Sequence, residues 1–127
     1  MKVLALDYGR ARTGVAVSDP TGTIARPLEV VAGTDIARIT ELIEQYDVEQ
    51  VVVGMPLTLR GDRGEQARET EEFIEKLSAS TRVPVVAFDE RFTTDLAQQT
   101  GGAAADEDAR AAAHLLSGYL TWASARA

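Results

Sequence analysis

Three regions of the sequence place carboxylates where they could act together on a substrate. Asp7 ends the apolar run VLALD, and the pair Asp89–Glu90 ends the apolar run VPVVAFDE. A third acid, Asp108, lies at the start of a stretch with helical periodicity. An aspartate that ends a buried strand is costly unless it is paired, hydrogen-bonded or bound to a metal ion. Two or three carboxylates around divalent ions form a site that cleaves phosphodiester bonds.

Each of these acids also has a structural explanation. Asp7 could cap the turn that follows its strand, and Asp89 or Glu90 could form a solvated ion pair with Arg91. The alternation in VVAFDE does not decide which of the two carboxylates faces inward. Asp108 could be a first-turn acid favoured by the helix dipole. However, it belongs to an inward-facing stripe, which favours a functional role. That stripe comprises Asp108, Ala111, Ala112, Leu115, Leu116 and Tyr119.

The composition restricts which metal such acids could hold. The chain has no cysteine and a single histidine, His114, which excludes disulfides, thiolate sites and histidine clusters. A metal site must therefore consist mainly of carboxylates, which favours Mg²⁺ or Mn²⁺. The lack of cysteine fits a reducing cytoplasm, and no apolar run approaches membrane-spanning length. We therefore expect a cytoplasmic protein with no membrane partner.

The basic residues are nearly all arginine. The chain carries 13 basic and 20 acidic residues, a formal net charge of −7, and its lysines are Lys2 and Lys76. The planar fork of arginine suits phosphate, although arginines on solvated faces are a common alternative. The acidic balance argues against a protein coated in positive charge but does not exclude a nucleic-acid partner.

The pattern of apolar runs predicts one α/β domain over residues 1–127. The short separators YGRAR and DPTG join three strands, VLALD, TGVAVSD and TIARPLEVV, so we expect an antiparallel meander. Helices are then predicted at 35–47, 65–80 and 107–123, and strands at 48–57 and 82–91. Helices should cover both faces of the later parallel strands, and the site should lie at the carboxyl ends of the strands.

Five blocks of the sequence resemble one known family. LDYGRARTGVAVSD is similar to the opening motif of the YqgF family, the pre-16S ribosomal RNA nucleases also described as Holliday-junction-resolvase-like proteins. Four later blocks match in order and at compatible spacing: TIARPLEVV, VVVGMPLTLRGDRGEQA, FDERFTT and AAAHLLSGYL. The resemblance spans nearly the whole chain. It implies an RNase H-like fold, a five-stranded mixed sheet of order 3-2-1-4-5 flanked by helices, with Asp7 on the central strand.

The resemblance also implies a catalytic centre and a substrate class. Asp7, Glu90 and Asp108 match the catalytic positions, where they would hold Mg²⁺ or Mn²⁺. The implied activity is hydrolysis of a nucleic-acid backbone that matures the 5′ end of small-subunit ribosomal RNA. The implied partners are pre-rRNA or other RNA, branched DNA and ribosomal assembly intermediates, and the protein would be a monomer or a homodimer.

Four residues are assigned to substrate binding. Arg12 and Arg91 match family arginines that contact phosphate. Arg10 occupies a position where the family varies. Thr93 belongs to the FDERFTT block, where Thr93 or Thr94 could instead cap the following helix.

Two segments depart from the family pattern. Residues 95–108, DLAQQTGGAAADED, contain no lysine or arginine, whereas the family usually has a basic stretch there. Losing phosphate contacts would weaken binding and flatten its salt dependence. The substrate would then have to be held by Arg60, Arg63 and Arg68, by a second subunit or by a partner. The segment GMPLTLRGD has no carboxylate beside Gly54, so Glu90 would take that place.

Two other function classes compete with a nuclease. Actin-like and sugar-kinase ATPases begin with a similar DxG phosphate motif, but they need a second lobe that 127 residues cannot provide within one chain. A non-catalytic adaptor for RNA or protein on a nuclease fold is consistent with the acidic balance and the missing basic stretch.

Overall fold

A computed structural model describes residues 1–33, 35–56, 64–89 and 104–126, with the backbone alone for residues 104–106. These residues form five strands and three helices. In chain order they are β1 (Val3–Asp7), β2 (Arg12–Ser18), β3 (Ala25–Ala32), α1 (Ile36–Gln45), β4 (Gln50–Met55), α2 (Glu65–Ser80), β5 (Val85–Asp89) and α3 (Ala104–Ala125). None of the helices among these residues is long and apolar enough to cross a membrane.

The five strands form one mixed sheet in the order β3-β2-β1-β4-β5. β2 is antiparallel to both β1 and β3, because short turns connect these strands. β4 is parallel to β1, and β5 is parallel to β4, because helices provide the crossovers. This confirms the predicted meander and the predicted order 3-2-1-4-5. β1 is central, and its carboxyl end lies at the same edge of the sheet as those of β4 and β5.

Apolar side chains alternate between the two faces of the sheet. Leu4 and Leu6 of β1 pack in a cluster with buried residues of α1 and α2. Val3 and Ala5, on the opposite face, pack with Leu115 and other residues of α3. Because both faces of β1 are buried, helices cover both sides of the central strand, as predicted.

The helices follow from local sequence signals. Asp35 caps α1, because its side chain accepts a hydrogen bond of 3.1 Å from the backbone N–H of Arg38. The apolar positions Ile39, Leu42 and Ile43 of α1 are buried, as their spacing predicts. α2 spans the predicted residues 65–80. α3 begins three residues before the predicted start, because alanine favours helix even where no amphipathic pattern marks it.

The aromatic residues of α3 pack against the sheet. The ring of Phe88 in β5 lies 5.4 Å from that of Tyr119 and 5.7 Å from that of Trp122. The Tyr119 hydroxyl donates to Oε1 of Gln50 at 3.0 Å. These contacts give both α3 aromatics a structural role.

Candidate active site

Asp7 ends β1 on the face of the sheet that α3 covers. It follows Val3 and Ala5 at intervals of two residues, and both of those side chains pack in the α3 cluster. Asp7 is half-buried, and its partner across the antiparallel ladder is Gly14 of β2. The Cα atoms of such partners lie about 4.5–5.5 Å apart, so Asp7 and Gly14 are immediate neighbours.

Gly14 allows the backbone of α3 to approach β2 at Asp108. A Cβ atom on Gly14 would lie 2.0 Å from the carbonyl oxygen of Asp108 and 2.5 Å from its carbonyl carbon. No residue with a side chain fits this contact without movement of one backbone. The glycine therefore places Asp108 directly over the strand position that pairs with Asp7. Gly14 is not among the residues that the sequence pattern selects.

Arg12 and Asp108 form an ion pair at this position. Nε of Arg12 donates to Oδ2 of Asp108 at 2.6 Å, although the two residues are 96 apart in sequence. The Arg12 side chain is 50% exposed and that of Asp108 is 31% exposed. Arg12 begins β2 two residues before Gly14, so its side chain lies on the same face. The structure thus brings together Arg12 and Asp108, two of the residues that the sequence selects.

Arg10 is held by an acid that sequence analysis did not select. Its Nε donates to Oε2 of Glu69 at 2.8 Å, and its Nη2 donates to Oε1 of the same carboxylate. These hydrogen bonds raise the pKa of Arg10 and lower the pKa of Glu69. One signal was available: Glu69 precedes the core residue Phe73 by four positions and so shares its helix face.

The loop between β1 and β2 also rests on α2 through Tyr8. The rings of Tyr8 and Phe73 are stacked, with centroids 4.6 Å apart and an interplanar angle of 29°. Gly9 keeps the loop tight, because a Cβ atom there would lie 2.5 Å from the carbonyl oxygen of Arg12. A cavity of about 510 Å³ lies between this loop and the first turns of α2. Its lining residues are Tyr8, Gly9, Arg10, Glu65, Gln66 and Glu69.

The structure describes only one of the two carboxylates predicted at the end of β5. Asp89 is the last residue of β5, and the alternation along the strand puts it on the same face as Val85, which packs toward α1 and α2. Asp89 is therefore on the opposite face from Asp7. Glu90 lies outside the described residues. The same holds for the other predicted substrate contacts that follow it or precede α2, namely Arg91, Thr93, Arg60 and Arg63. Arg68 is exposed on α2.

The donor chemistry of the described acids suits a hard divalent cation. Asp7 and Asp108 are brought to one end of the sheet, and carboxylate oxygens are the ligands that Mg²⁺ and Mn²⁺ prefer. Within the described ranges, no group of three histidine, cysteine, aspartate or glutamate side chains could hold an ion. The predicted triad includes Glu90, so the complete set remains a prediction.

Comparison with known proteins gives the same family as the motifs. Residues 1–122 match the sequence model of the family described as "RuvX: Holliday junction resolvase". A protein of Sulfurihydrogenibium sp. (strain YO3AOP1), named "Putative pre-16S rRNA nuclease", is 45% identical over 103 residues, which cover 78% of this chain and 71% of that protein. A protein of the same name from Anaeromyxobacter sp. (strain Fw109-5) is 41% identical over 132 aligned residues, covering 94% and 96%.

Solved structures resemble the chain in fold. RuvC of T. thermophilus, in complex with a Holliday junction substrate, superposes with a TM-score of 0.63 over 98% of this chain and 97% of that one. At 18% identity this likeness concerns the fold alone, and it agrees with the RNase H-like sheet described above. From the family match over residues 1–122 and relatives more than 40% identical, we conclude that the chain belongs to the RuvX family, the YqgF family that its motifs resemble.

Proposed function

We propose that this protein is a divalent-metal-dependent nuclease that hydrolyses phosphodiester bonds in RNA, with the 5′ end of pre-16S rRNA as its substrate. The observation that carries the proposal is the contact of Gly14 with the backbone of Asp108, opposite Asp7 in the ladder. It brings two acids from sequence-distant elements to the carboxyl end of the central strand. In α/β sheets that edge is where ligands bind.

In this proposal Asp7, Asp108 and Glu90 hold Mg²⁺ or Mn²⁺. When bound, such an ion would supply a lower pKa for the attacking water and stabilisation of the charge on the leaving oxygen. Asp7 contributes a carboxylate at the carboxyl end of the central strand, on the face that α3 covers. Asp108 contributes a second carboxylate, whose position is fixed because Gly14 admits the helix backbone.

Arg12 is proposed to orient the substrate phosphate beside these acids. Its hydrogen bond to Asp108 uses one of the five N–H donors of the guanidinium. The side chain is half exposed, so the remaining donors can reach a phosphate oxygen. The same residue therefore holds Asp108 in place and provides hydrogen bonds to the backbone of the nucleic acid.

The choice of RNA rests on the relatives of similar length. Proteins 41–47% identical to this chain are named as pre-16S rRNA nucleases, whereas the family model is described by the Holliday junction. RNA and branched DNA share the phosphodiester that the site would cleave. A direct comparison of the two substrates is therefore part of the test. Binding to ribosomal assembly intermediates belongs to the same proposal.

The test compares Asp7→Asn with the parent protein on end-labelled precursor RNA and on a four-way DNA junction, each with Mg²⁺ or Mn²⁺. We expect Asp7→Asn to reduce cleavage to background while the unfolding curve is retained. The matched control is Asp47→Asn, because Asp47 is exposed beyond the amino end of β4 and loses the same charge. Its left-handed backbone, with φ at 52°, also suits asparagine.

Two results would contradict the proposal. Full activity of Asp7→Asn would exclude Asp7 from the catalytic centre. Tight RNA binding by the parent protein without cleavage under either metal would instead support a non-catalytic adaptor. Cleavage of the junction with no cleavage of RNA would retain the catalytic centre and reassign the substrate.

A further inference from the structure

We infer that Glu69 is a positioning residue for nucleic-acid binding, because it orients the guanidinium of Arg10 towards a phosphate of a strand that passes the loop after Asp7. This inference rests on the proposed nuclease function. It adds to that function Glu69, an acid of α2 that none of the predicted catalytic or substrate-binding assignments includes. The geometry of the Arg10–Glu69 pair supports it, as does the way α2 holds the loop between β1 and β2.

The pair leaves one edge of the guanidinium available. Glu69 accepts hydrogen bonds from Nε and Nη2 of Arg10, which uses two of its five N–H donors. The remaining donors are both hydrogens of Nη1 and one of Nη2, which form a fork suited to a phosphate. The Arg10 side chain is 71% exposed, whereas that of Glu69 is 27% exposed. The carboxylate therefore lies on the protein side of the arginine, and solvent reaches the other side.

Glu69 is attached to a rigid part of the molecule. It lies one helical turn before Phe73, which is buried in the core and stacked on Tyr8. The loop that follows Asp7 is thus fixed to α2 at two points, Tyr8 on Phe73 and Arg10 on Glu69. An arginine fixed in this way loses less rotamer freedom when it binds a ligand than a mobile surface arginine does.

The position of the pair connects it to the candidate active site. Arg10 follows Asp7 by three residues, and both Arg10 and Glu69 line the cavity between the loop and α2. Asp7 faces α3 and the pair lies on the α2 side of the sheet, so Arg10 would contact a neighbouring phosphate of a strand that passes this loop. Contact with the exposed edge of Arg10 then contributes to affinity and register, as phosphate contacts do in nucleic-acid complexes.

An opposite hypothesis is that Glu69 only masks the charge of Arg10. A masking carboxylate would compete with phosphate, so its removal would tighten binding and increase the salt dependence. A positioning carboxylate predicts the reverse, because its removal leaves Arg10 mobile. The two hypotheses differ in the sign of one measured change.

The experiment measures binding of a 5′-fluorescein-labelled precursor 16S RNA by anisotropy between 50 and 200 mM KCl (about the range over which phosphate contacts are separated by salt). All variants carry Asp7→Asn to prevent cleavage. We expect Arg10→Ala and Glu69→Ala each to weaken binding about three- to tenfold, as for one exposed charge-assisted contact. The slope of log Kd against log salt should decrease by up to about one, which is the amount that one phosphate contact contributes.

Three further variants separate positioning from general effects. Glu69→Gln keeps one acceptor oxygen and should bind between the parent and Glu69→Ala. In the Arg10→Ala background, Glu69→Ala should cause no further loss, because its effect acts through Arg10. Glu75→Ala is the matched control, since Glu75 is an exposed acid of the same helix and its loss changes the net charge equally. Circular dichroism confirms that each variant is folded.

The outcomes distinguish this inference from the proposed function. Tighter binding or a steeper salt slope in Glu69→Ala would establish masking and overturn the inference. Equal binding by Glu69→Ala and Glu75→Ala would overturn it as well. If the Asp7→Asn parent binds neither the RNA nor a labelled four-way DNA junction, the proposed function fails and the inference fails with it.

Discussion

Replacing Gly14 with alanine tests whether close packing of α3 on β2 builds the candidate site. The new Cβ atom would lie 2.0 Å from the carbonyl oxygen of Asp108 and 3.2 Å from the backbone N of Ala109. A methyl carbon does not approach a carbonyl oxygen more closely than about 3 Å, so the two backbones must separate by about 1 Å. Both contacting groups are main chain, which excludes relief by a change of side-chain rotamer.

The structure gives the size of the expected effect. α3 packs over the sheet through Ala112, Leu115 and Leu116, all buried against Ala5 and Ala16. Moving the start of this helix by 1 Å loosens these contacts, and overpacking of this kind costs about 1–3 kcal/mol. We expect a loss of about 2–3 kcal/mol in the free energy of unfolding. For a domain of this size that corresponds to a fall in Tm of roughly 6–15 °C.

The same displacement moves Asp108 away from Asp7. Under the proposed function Asp108 is a catalytic group, and a misplacement of about 1 Å in such a group can lower the rate by about 100-fold. Thermal unfolding followed by circular dichroism and metal-dependent RNA cleavage measure the two effects. Gly64→Ala is the control, because a Cβ atom on Gly64 would have no neighbour within 4 Å. Stability and cleavage of Gly14→Ala that equal those of Gly64→Ala would refute the proposed role of this contact.

Two further predictions concern the core and the Arg10–Glu69 pair. Leu116→Ala removes a fully buried side chain from the α3 face and should lower the free energy of unfolding by about 2–5 kcal/mol, measured by urea denaturation. The side-chain pKa of Glu69 should lie below its ordinary 4.5 in the folded protein and return towards it in Arg10→Ala, as followed by NMR titration. As the pH falls, the unfolded chain therefore takes up this proton before the folded protein does. The contribution of the pair to the free energy of unfolding is complete above about pH 4.5. It is lost as the pH falls through the folded-state pKa.

Most of the fold could be predicted because its signals are local. VLALD is a strand over the predicted residues, since an apolar run ends at an acid and a glycine-containing turn. α2 also has its predicted bounds, because Phe73 and Leu77 mark its inward face. β4 and β5 begin at Gln50 and Val85, two and three residues later than predicted, since Val48 and Val83 are apolar but precede the residues that are paired in the ladder.

The candidate site could be predicted only in part, because its main contacts are non-local. Arg12 and Asp108 were selected individually, but their direct ion pair joins residues 96 apart. Glu69 meets Arg10 across 59 residues, and nothing in the sequence near Glu69 indicates that partner. The importance of Gly14 depends on the position of a helix that begins 90 residues later, so the strand sequence alone gives no sign of it.

The structure explains why arginine, rather than lysine, suits two positions of the chain. Under the proposed function, a protein with a net charge of −7 has to bind a polyanion through local contacts, because its overall charge is repulsive. Arg10 and Arg12 each bind a carboxylate of the protein and retain further N–H donors on the same planar group. A lysine would bring the same charge, but its donors radiate from one nitrogen and cannot form two oriented edges. Under the proposed function, arginine at these two positions can therefore bind an internal acid and a substrate phosphate at once.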